Sequence, residues 1–250
     1  MSTFIKGIKV KFNIENMKGK VAYITGGSKG IGLGVAAALL KEGVKVAISG
    51  RGTKSLENAK QVLDASEDLI CIQSDVTNFD NEKNAVAQIL EKWGTLDIVF
   101  ANAGVGHFAP VDELSLSDWN IMVNTNLTGA FHTLKASMEG LKVSQGYYIT
   151  LASLAGTNFF ASGAGYNATK FGVVGFTQAV MLDLRKHGIK VSTIMPGSVA
   201  THFNGNEPNE KDAWKIQPED IGELVVDLLR MNPRTLPSKI EVRPTRPDLK

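Results

Sequence analysis

The sequence predicts an α/β protein in which a parallel sheet is covered by helices on both faces. Three observations carry that expectation. Short apolar segments alternate with helical ones along almost the whole chain. Several of the short segments, such as Ile98-Val99-Phe100, are apolar at every position, as a strand buried on both faces requires. The first of them opens directly into glycines and then a helix.

The elements follow in order. Residues 1–18 read as an extension, with a short edge strand allowed by the alternation Ile8-Lys9-Val10-Lys11-Phe12, and residues 19–250 form one domain. Residues 21–25 are an apolar strand that runs into glycines. Residues 31–42 are a helix with small residues on one face, stopped by Gly43, and residues 44–49 are the next strand. The pattern then repeats as strand 69–73, helix 81–93, strand 96–101, a long helical region 117–140 and strand 147–152. It continues with helix 166–186, stopped by Gly188, and strand 191–195. Helix 218–231 carries Glu219 and Asp220 in its first turn, where negative charge suits the helix dipole, and residues 239–242 make a last strand. The least regular stretch, residues 197–217, follows a strand end and reads as an active-site loop.

Composition narrows the function classes. The chain has 250 residues, 43% of them hydrophobic, and a net charge of +2 with the two signs interspersed, so nothing marks a nucleic-acid partner. The one cysteine, Cys71, excludes an intramolecular disulfide and reads as a small buried hydrophobe. No segment has the continuous apolar length of a signal peptide or membrane span, so a soluble, cytoplasmic protein is expected. No metal site is expected.

Thr25-Gly26-Gly27-Ser28-Lys29-Gly30-Ile31-Gly32 joins the first strand to the first helix. Glycines there let the backbone turn tightly and approach a pyrophosphate, while the helix presents free N–H groups and its positive dipole end. The next strand ends in Ser49-Gly50-Arg51, with no carboxylate to bond a ribose 2′-hydroxyl. Arg51 and Lys29 are either solvated surface charges or the partners of a 2′-phosphate, and the second reading favours NADP(H) over NAD. Asp75-Val76 ends the third strand, where Asp75 accepts the adenine amino group or caps the following helix. Asn102-Ala103-Gly104 ends the fourth, with small residues against the cofactor and Asn102 placed to tie strands together.

Tyr166 and Lys170 lie one helical turn apart on one face. A tyrosine titrates near pH ~10, and a nearby ammonium lowers that value toward neutrality, suiting the phenol to proton exchange with a carbonyl oxygen. Ser153, just past a strand, can hold the same oxygen.

These motifs together resemble the short-chain dehydrogenase/reductase family over roughly residues 18–244: Thr25-Gly26-x-x-x-Gly30-x-Gly32, Asn102-Ala103-Gly104, Asn126, Ser153, Tyr166-x-x-x-Lys170 and Pro196-Gly197, in family order. The resemblance implies a single-domain, Rossmann-like, doubly wound parallel sheet of about seven strands. It implies Tyr166 as acid/base, Ser153 polarising the substrate oxygen, Lys170 on the nicotinamide ribose and Asn126 holding a relay water. Pro196-Gly197 would border the nicotinamide, with Val199 and Thr201 near its carboxamide. It further implies an NADP(H)-dependent reduction of a small-molecule ketone or oxidation of a secondary alcohol, similar to that of the 3-oxoacyl-carrier-protein reductases, in a homo-oligomer, tetramer or dimer. The chain departs from the family's common form in its N-terminal extension and in a polar tail after Pro244.

Two other readings stand beside this one. Nucleotide-sugar epimerases and dehydratases share Tyr-x-x-x-Lys but carry a larger C-terminal part than the roughly 50 residues after Pro196. A non-catalytic NADP-binding sensor needs the dinucleotide site but not all of Asn126, Ser153, Tyr166 and Lys170. In the irregular loop, Phe203 and Trp214 sit among charges, and His107 and Phe108 follow Gly104 closely enough to face substrate.

Overall fold

The computed structural model of the chain describes residues 17–64 and 67–246, preceded by two short strands, β1 (Phe4–Ile5) and β2 (Ile8–Lys9), which pair antiparallel. Residues 10–12 of the expected edge strand lie outside the described residues. Met17, counted by sequence with the extension, is buried in the core.

The main sheet holds seven strands: β3 (Val21–Thr25), β4 (Lys45–Gly50), β5 (Leu69–Gln73), β6 (Ile98–Ala101), β7 (Tyr147–Leu151), β8 (Lys190–Pro196) and β9 (Lys239–Val242). Their spatial order is β5-β4-β3-β6-β7-β8-β9, and every neighbouring pair is parallel. The chain starts in the middle at β3, winds outward to β5, returns to β6 beside β3 and winds out to the other edge. The reversal between β3 and β6 opens a crevice at the C-terminal strand ends, where ligands bind in sheets of this kind.

Strand alternation distributes the core. Ala22 and Ile24 face one layer, with Val46, Ile48, Phe100 and Ile149; Val21 and Tyr23 face the other, with Ala47, Val99 and Tyr148. The first layer is completed by α1 (Gly30–Lys41), α2 (Thr53–Leu63) and α7 (Pro218–Arg230). The second is completed by α3 (Phe79–Trp93), α5 (Gly129–Ser144) and α6 (Ala164–Leu184). The helices α1 and α7 approach through glycines: a Cβ on Gly34 would lie 2.5 Å from the Pro218 carbonyl oxygen, and one on Gly222 would lie 2.7 Å from the Gly34 oxygen. Pro218 starts α7 at a position that needs no N–H donor, and Asp220 Oδ2 accepts from the Gln217 N–H at 2.7 Å. No helix of the described residues is long and apolar enough to cross a membrane.

Two expectations are corrected. Helix α2 falls between the strands predicted at 44–49 and 69–73, where no helix was expected. Its buried stripe is only Leu56 and Ala59, too narrow a signal in an eleven-residue helix with seven polar residues. The helical region expected at 117–140 is three pieces: α4 (Leu116–Met122), a π-helical turn (Val123–Thr128) and α5, which runs on to Ser144. Other boundaries shift less; the strand expected from residue 96 begins at Ile98.

Candidate active site

The turn after β3 is built on glycine for two physical reasons. Gly26 and Gly30 have φ of +64° and +56°, a region that side chains disfavour. Gly32 has no room: a Cβ there would lie 2.6 Å from Asn102 Nδ2 and 2.7 Å from the Gly26 oxygen. Asn102 holds this geometry, donating from Nδ2 to the carbonyls of Thr25 (2.8 Å) and Gly26 (3.1 Å). The Thr25 hydroxyl oxygen accepts from the N–H groups of both Asn102 and Ala103 at 3.1 Å. Asn102 thus ties strands together, as the sequence suggested, and Thr25 is a partner that sequence reasoning passed over although it stood in the motif.

Lys29 precedes α1 in an extended conformation, and its side chain makes no capping bond. The first N–H groups of α1 therefore remain available at the sheet's C-terminal edge, beside the glycine turn. Ser28 lies within reach of Gly50, and Ile31 packs on the core under the turn. Arg51 and Lys29 are both exposed, and no carboxylate ends β4. Asp75 Oδ1 accepts from the Thr77 N–H (3.0 Å) and hydroxyl (2.8 Å). The helix after it is capped by Asn78 instead, whose Oδ1 takes the Asp80 and Asn81 N–H groups, so the alternative of Asp75 as helix cap is set aside. Val76 is buried, and its carbonyl lies 2.9 Å from His132 Nδ1.

Beyond Gly104 the site deepens. A Cβ on Gly104 would lie 3.3 Å from Asn126 Oδ1 and 3.7 Å from Lys170 Nζ, so the bare backbone brings three predicted residues together. Asn126 sits in the π turn. Its Nδ2 donates to the Val105 carbonyl (2.9 Å) and to the Thr169 hydroxyl (3.0 Å), and its Oδ1 accepts from the Val105 N–H (2.8 Å). A π turn projects this residue off the regular helical register toward the loop after β6. Thr169, one residue before Lys170, is the partner that sequence reasoning missed; its hydroxyl bonds back to the Tyr166 carbonyl at 2.8 Å.

Ser153 lies just past β7, its Oγ accepting from the Ala155 N–H at 3.1 Å. Tyr166 and Lys170 stand on α6, both buried, with Lys170 Nζ over the phenol ring at 5.6 Å from its centroid. The ammonium donates to the Leu151 carbonyl at 2.9 Å. The expected lowering of the phenol is reversed. Burial pushes Tyr166 up to about 12, with the Ser153 hydrogen bond pulling it down, and burial pushes Lys170 down to about 8. Desolvation dominates at both groups, because burial removes the water that would stabilise the charged form.

Pro196 ends β8, the Gly197 N–H donates to the Val242 carbonyl at 2.8 Å, and Val199 bridges to Ile216. Thr201 closes on the glycine turn, its methyl 3.3 Å from where a Gly30 Cβ would be. Phe108 and Phe203 pack on Tyr166, with ring centroids at 5.4 and 5.7 Å. His107 pairs with Asp118, Nδ1 to Oδ1 at 3.3 Å, while Trp214 lies under Lys215.

Comparison with known proteins agrees with this fold. The family profile described as short chain dehydrogenase matches residues 20–212. An uncharacterized oxidoreductase of Staphylococcus aureus strain MRSA252 is 33% identical over 226 residues, 90% of this chain and 97% of the relative. The alcohol dehydrogenase of the archaeon Thermococcus sibiricus, solved with 5-hydroxy-NADP, superposes with a TM-score of 0.85 at 30% identity, covering 92% of this chain and 99% of its own. The 3-ketoacyl-(acyl-carrier-protein) reductase of Brucella melitensis, solved with NADH, shares the fold with a TM-score of 0.84 at 24% identity, covering 92% and 99%.

Proposed function

The chain belongs to the short chain dehydrogenase family and is an oxidoreductase, and we propose that it reduces a small-molecule ketone, or oxidises the matching secondary alcohol, with NADP(H). The observation that carries this reading is the meeting of Asn126 and Lys170 at bare Gly104, with the Tyr166 ring against Lys170 and hydrogen-bonded to Ser153, next to a glycine turn and the uncapped start of α1.

The residues present fit a dinucleotide. Side chains on Gly26, Gly32 or Gly104 would press on Asn102, Ala103 and Asn126 and so distort the turn along the strand ends. Gly26, Ser28, Gly30, Ile31, Gly32 and the first N–H groups of α1 would hold its pyrophosphate, Asp75 and Val76 its adenine, and Asn102 to Gly104 its ribose. Pro196, Gly197, Val199 and Thr201 would border the nicotinamide, and Arg51 with Lys29 would take the 2′-phosphate. When bound, the cofactor supplies or accepts the hydride.

The rest is done by this chain. Tyr166 gives its phenolic proton to the substrate oxygen, Ser153 donates to the same oxygen, and Lys170 holds the ribose and adds positive charge beside the phenol. Asn126 is fixed by three hydrogen bonds at the inner end of this row. Residues 19–250 serve as one unit that carries both sites. The solved alcohol dehydrogenase bound to an NADP derivative supports NADP(H), and the absence of a carboxylate at the end of β4 supports it independently.

The test is turnover of a panel of ketones and alcohols, with NADPH and NADH titrated in parallel. NADPH binds more tightly, and Tyr166→Phe lowers the rate roughly 10²–10⁴-fold with little change in cofactor affinity. Near-normal turnover by that variant removes Tyr166 from the role, and equal affinity for both cofactors removes the phosphate site.

A further inference from the structure

On the side away from Ser153 and Lys170, the Tyr166 ring is met by apolar side chains. Phe108 meets the Tyr166 ring edge-on, at 5.4 Å between centroids and 83° between planes. Phe203 meets it at 5.7 Å and 56°, and Phe160 meets Phe108 at 5.6 Å and 69°. Phe108 and Phe203 also face each other at 6.5 Å. Met122 and Ala155 are buried with Tyr166, and Val105 and Leu114 pack on the same cluster. The rings lie against bare backbone at Gly106, where a Cβ would be 2.6 Å from Phe203 Cζ and 3.2 Å from Phe108 Cζ.

These rings are half-exposed rather than sealed in the core: Phe108 is 41% and Phe160 47% accessible. Packing among themselves therefore leaves apolar surface at the mouth of the site. The loop that carries Phe203 adds Glu207, Glu210 and Asp212 against Lys211 and Lys215, and Lys215 is already paired with Asp212 at 2.6 Å. That balance offers an anion no net attraction.

We propose that Phe108 and Phe203 are specificity-determining residues that make the site select uncharged apolar ketones, aryl ketones above all, over anionic or polyhydroxylated ones. The inference rests on the reading of Tyr166 as the proton donor, and it narrows the substrate that this phenol meets. An aryl ring satisfies the edge-to-face preference that the phenylalanines now satisfy with each other. Hydroxyls or a carboxylate placed among the same rings lose water without gaining partners.

The experiment compares kcat/KM for acetophenone, pyruvate and dihydroxyacetone with the cofactor that the protein prefers, in wild type, Phe108→Ala and Phe203→Ala. Acetophenone leads by at least about tenfold in wild type, and each alanine variant narrows that lead roughly 3- to 10-fold, mainly through KM. Phe→Leu at either position, which keeps apolar bulk and loses the ring, gives an intermediate value. Binding is read separately by saturation transfer from aromatic protein protons to acetophenone. Saturation that weakens in the alanine variants supports the proposal; no transfer to acetophenone overturns it. Turnover that favours pyruvate or dihydroxyacetone, or an unchanged preference in both alanine variants, overturns the proposal and leaves the oxidoreductase reading intact. Absence of turnover with every ketone and both cofactors overturns the reading on which it rests.

Discussion

Tyr166 and Lys170 are pushed in opposite directions by the same cause. Burial holds the phenol up to about 12 and the ammonium down to about 8, so near neutral pH the free protein carries a protonated phenol beside a lysine close to its own titration. In the proposed ketone reduction the proton comes from Tyr166, whose correct form is already present. Alcohol oxidation needs the phenolate, whose population grows only as pH rises toward about 12. Since kcat/KM reports the free enzyme's groups, kcat/KM for oxidation climbs steadily between about pH 7 and pH 10, while reduction needs no such rise. Oxidation that is flat or falling over that interval would show that burial does not control the phenol. The sequence placed Tyr166 and Lys170 one turn apart but pointed to the wrong direction of the shift. Spacing along a helix reports which side chains are neighbours; it does not report how much water each has lost, and here that loss sets the direction of both shifts.

The helix pair α1 and α7 shows how closely the frame behind the glycine turn is packed. Gly34 lies in the middle of α1, where alanine is preferred by up to about 1 kcal/mol on helix propensity. Against that gain stands a backbone clash, because the added Cβ would be 2.5 Å from the Pro218 oxygen and 2.6 Å from its carbonyl carbon. Neither atom belongs to a flexible side chain, so the helices must separate, and overpacking of this kind costs about 1–3 kcal/mol. Gly34→Ala therefore lowers the thermal midpoint by several degrees, at about 2–4 °C per kcal/mol for a chain of this size. A midpoint that stays or rises would show that α1 and α7 part without penalty. Most elements behind this frame were legible, because apolar strands and capped helices leave local marks. What was not legible is instructive. Helix α2 buries little and so shows little pattern, and the π turn at Asn126 is continuous with helix on both sides, so no break marks it. Glu82 reads as an ordinary surface glutamate of α3, yet it is buried and accepts from the hydroxyls of Tyr23 (3.0 Å), Ser74 (2.6 Å) and Thr133 (2.8 Å). Its partners come from β3, the end of β5 and α5, and no local window contains them.

Beyond its own core, the chain leaves large apolar side chains on the helices that flank the site. On α5, Phe131 is 47% exposed and Val143 86%; on α6, Phe171 is 40% and Leu182 60%. Phe159 is 82% exposed and stacks on Phe171 at 6.3 Å and 18°, which extends that surface beyond the helix. Single exposed apolar residues are ordinary, but several on two long helices, one of them extended by the Phe159 stack, are what a contact surface presents. Each protomer offers the same surface, so pairing about a two-fold axis buries it twice. The expected outcome is a homo-oligomer: light scattering at micromolar concentration gives a multiple of 26.9 kDa. Phe131 packs edge-on against Phe176 at 6.3 Å yet remains half-exposed, so a charge there meets water in the monomer and apolar surface in the assembly. Phe131→Asp consequently shifts the mass toward the monomer, while circular dichroism of the variant keeps the helical signal. A wild-type protein that scatters as 26.9 kDa would mean that these rings are covered by something other than a second copy, or stay in water.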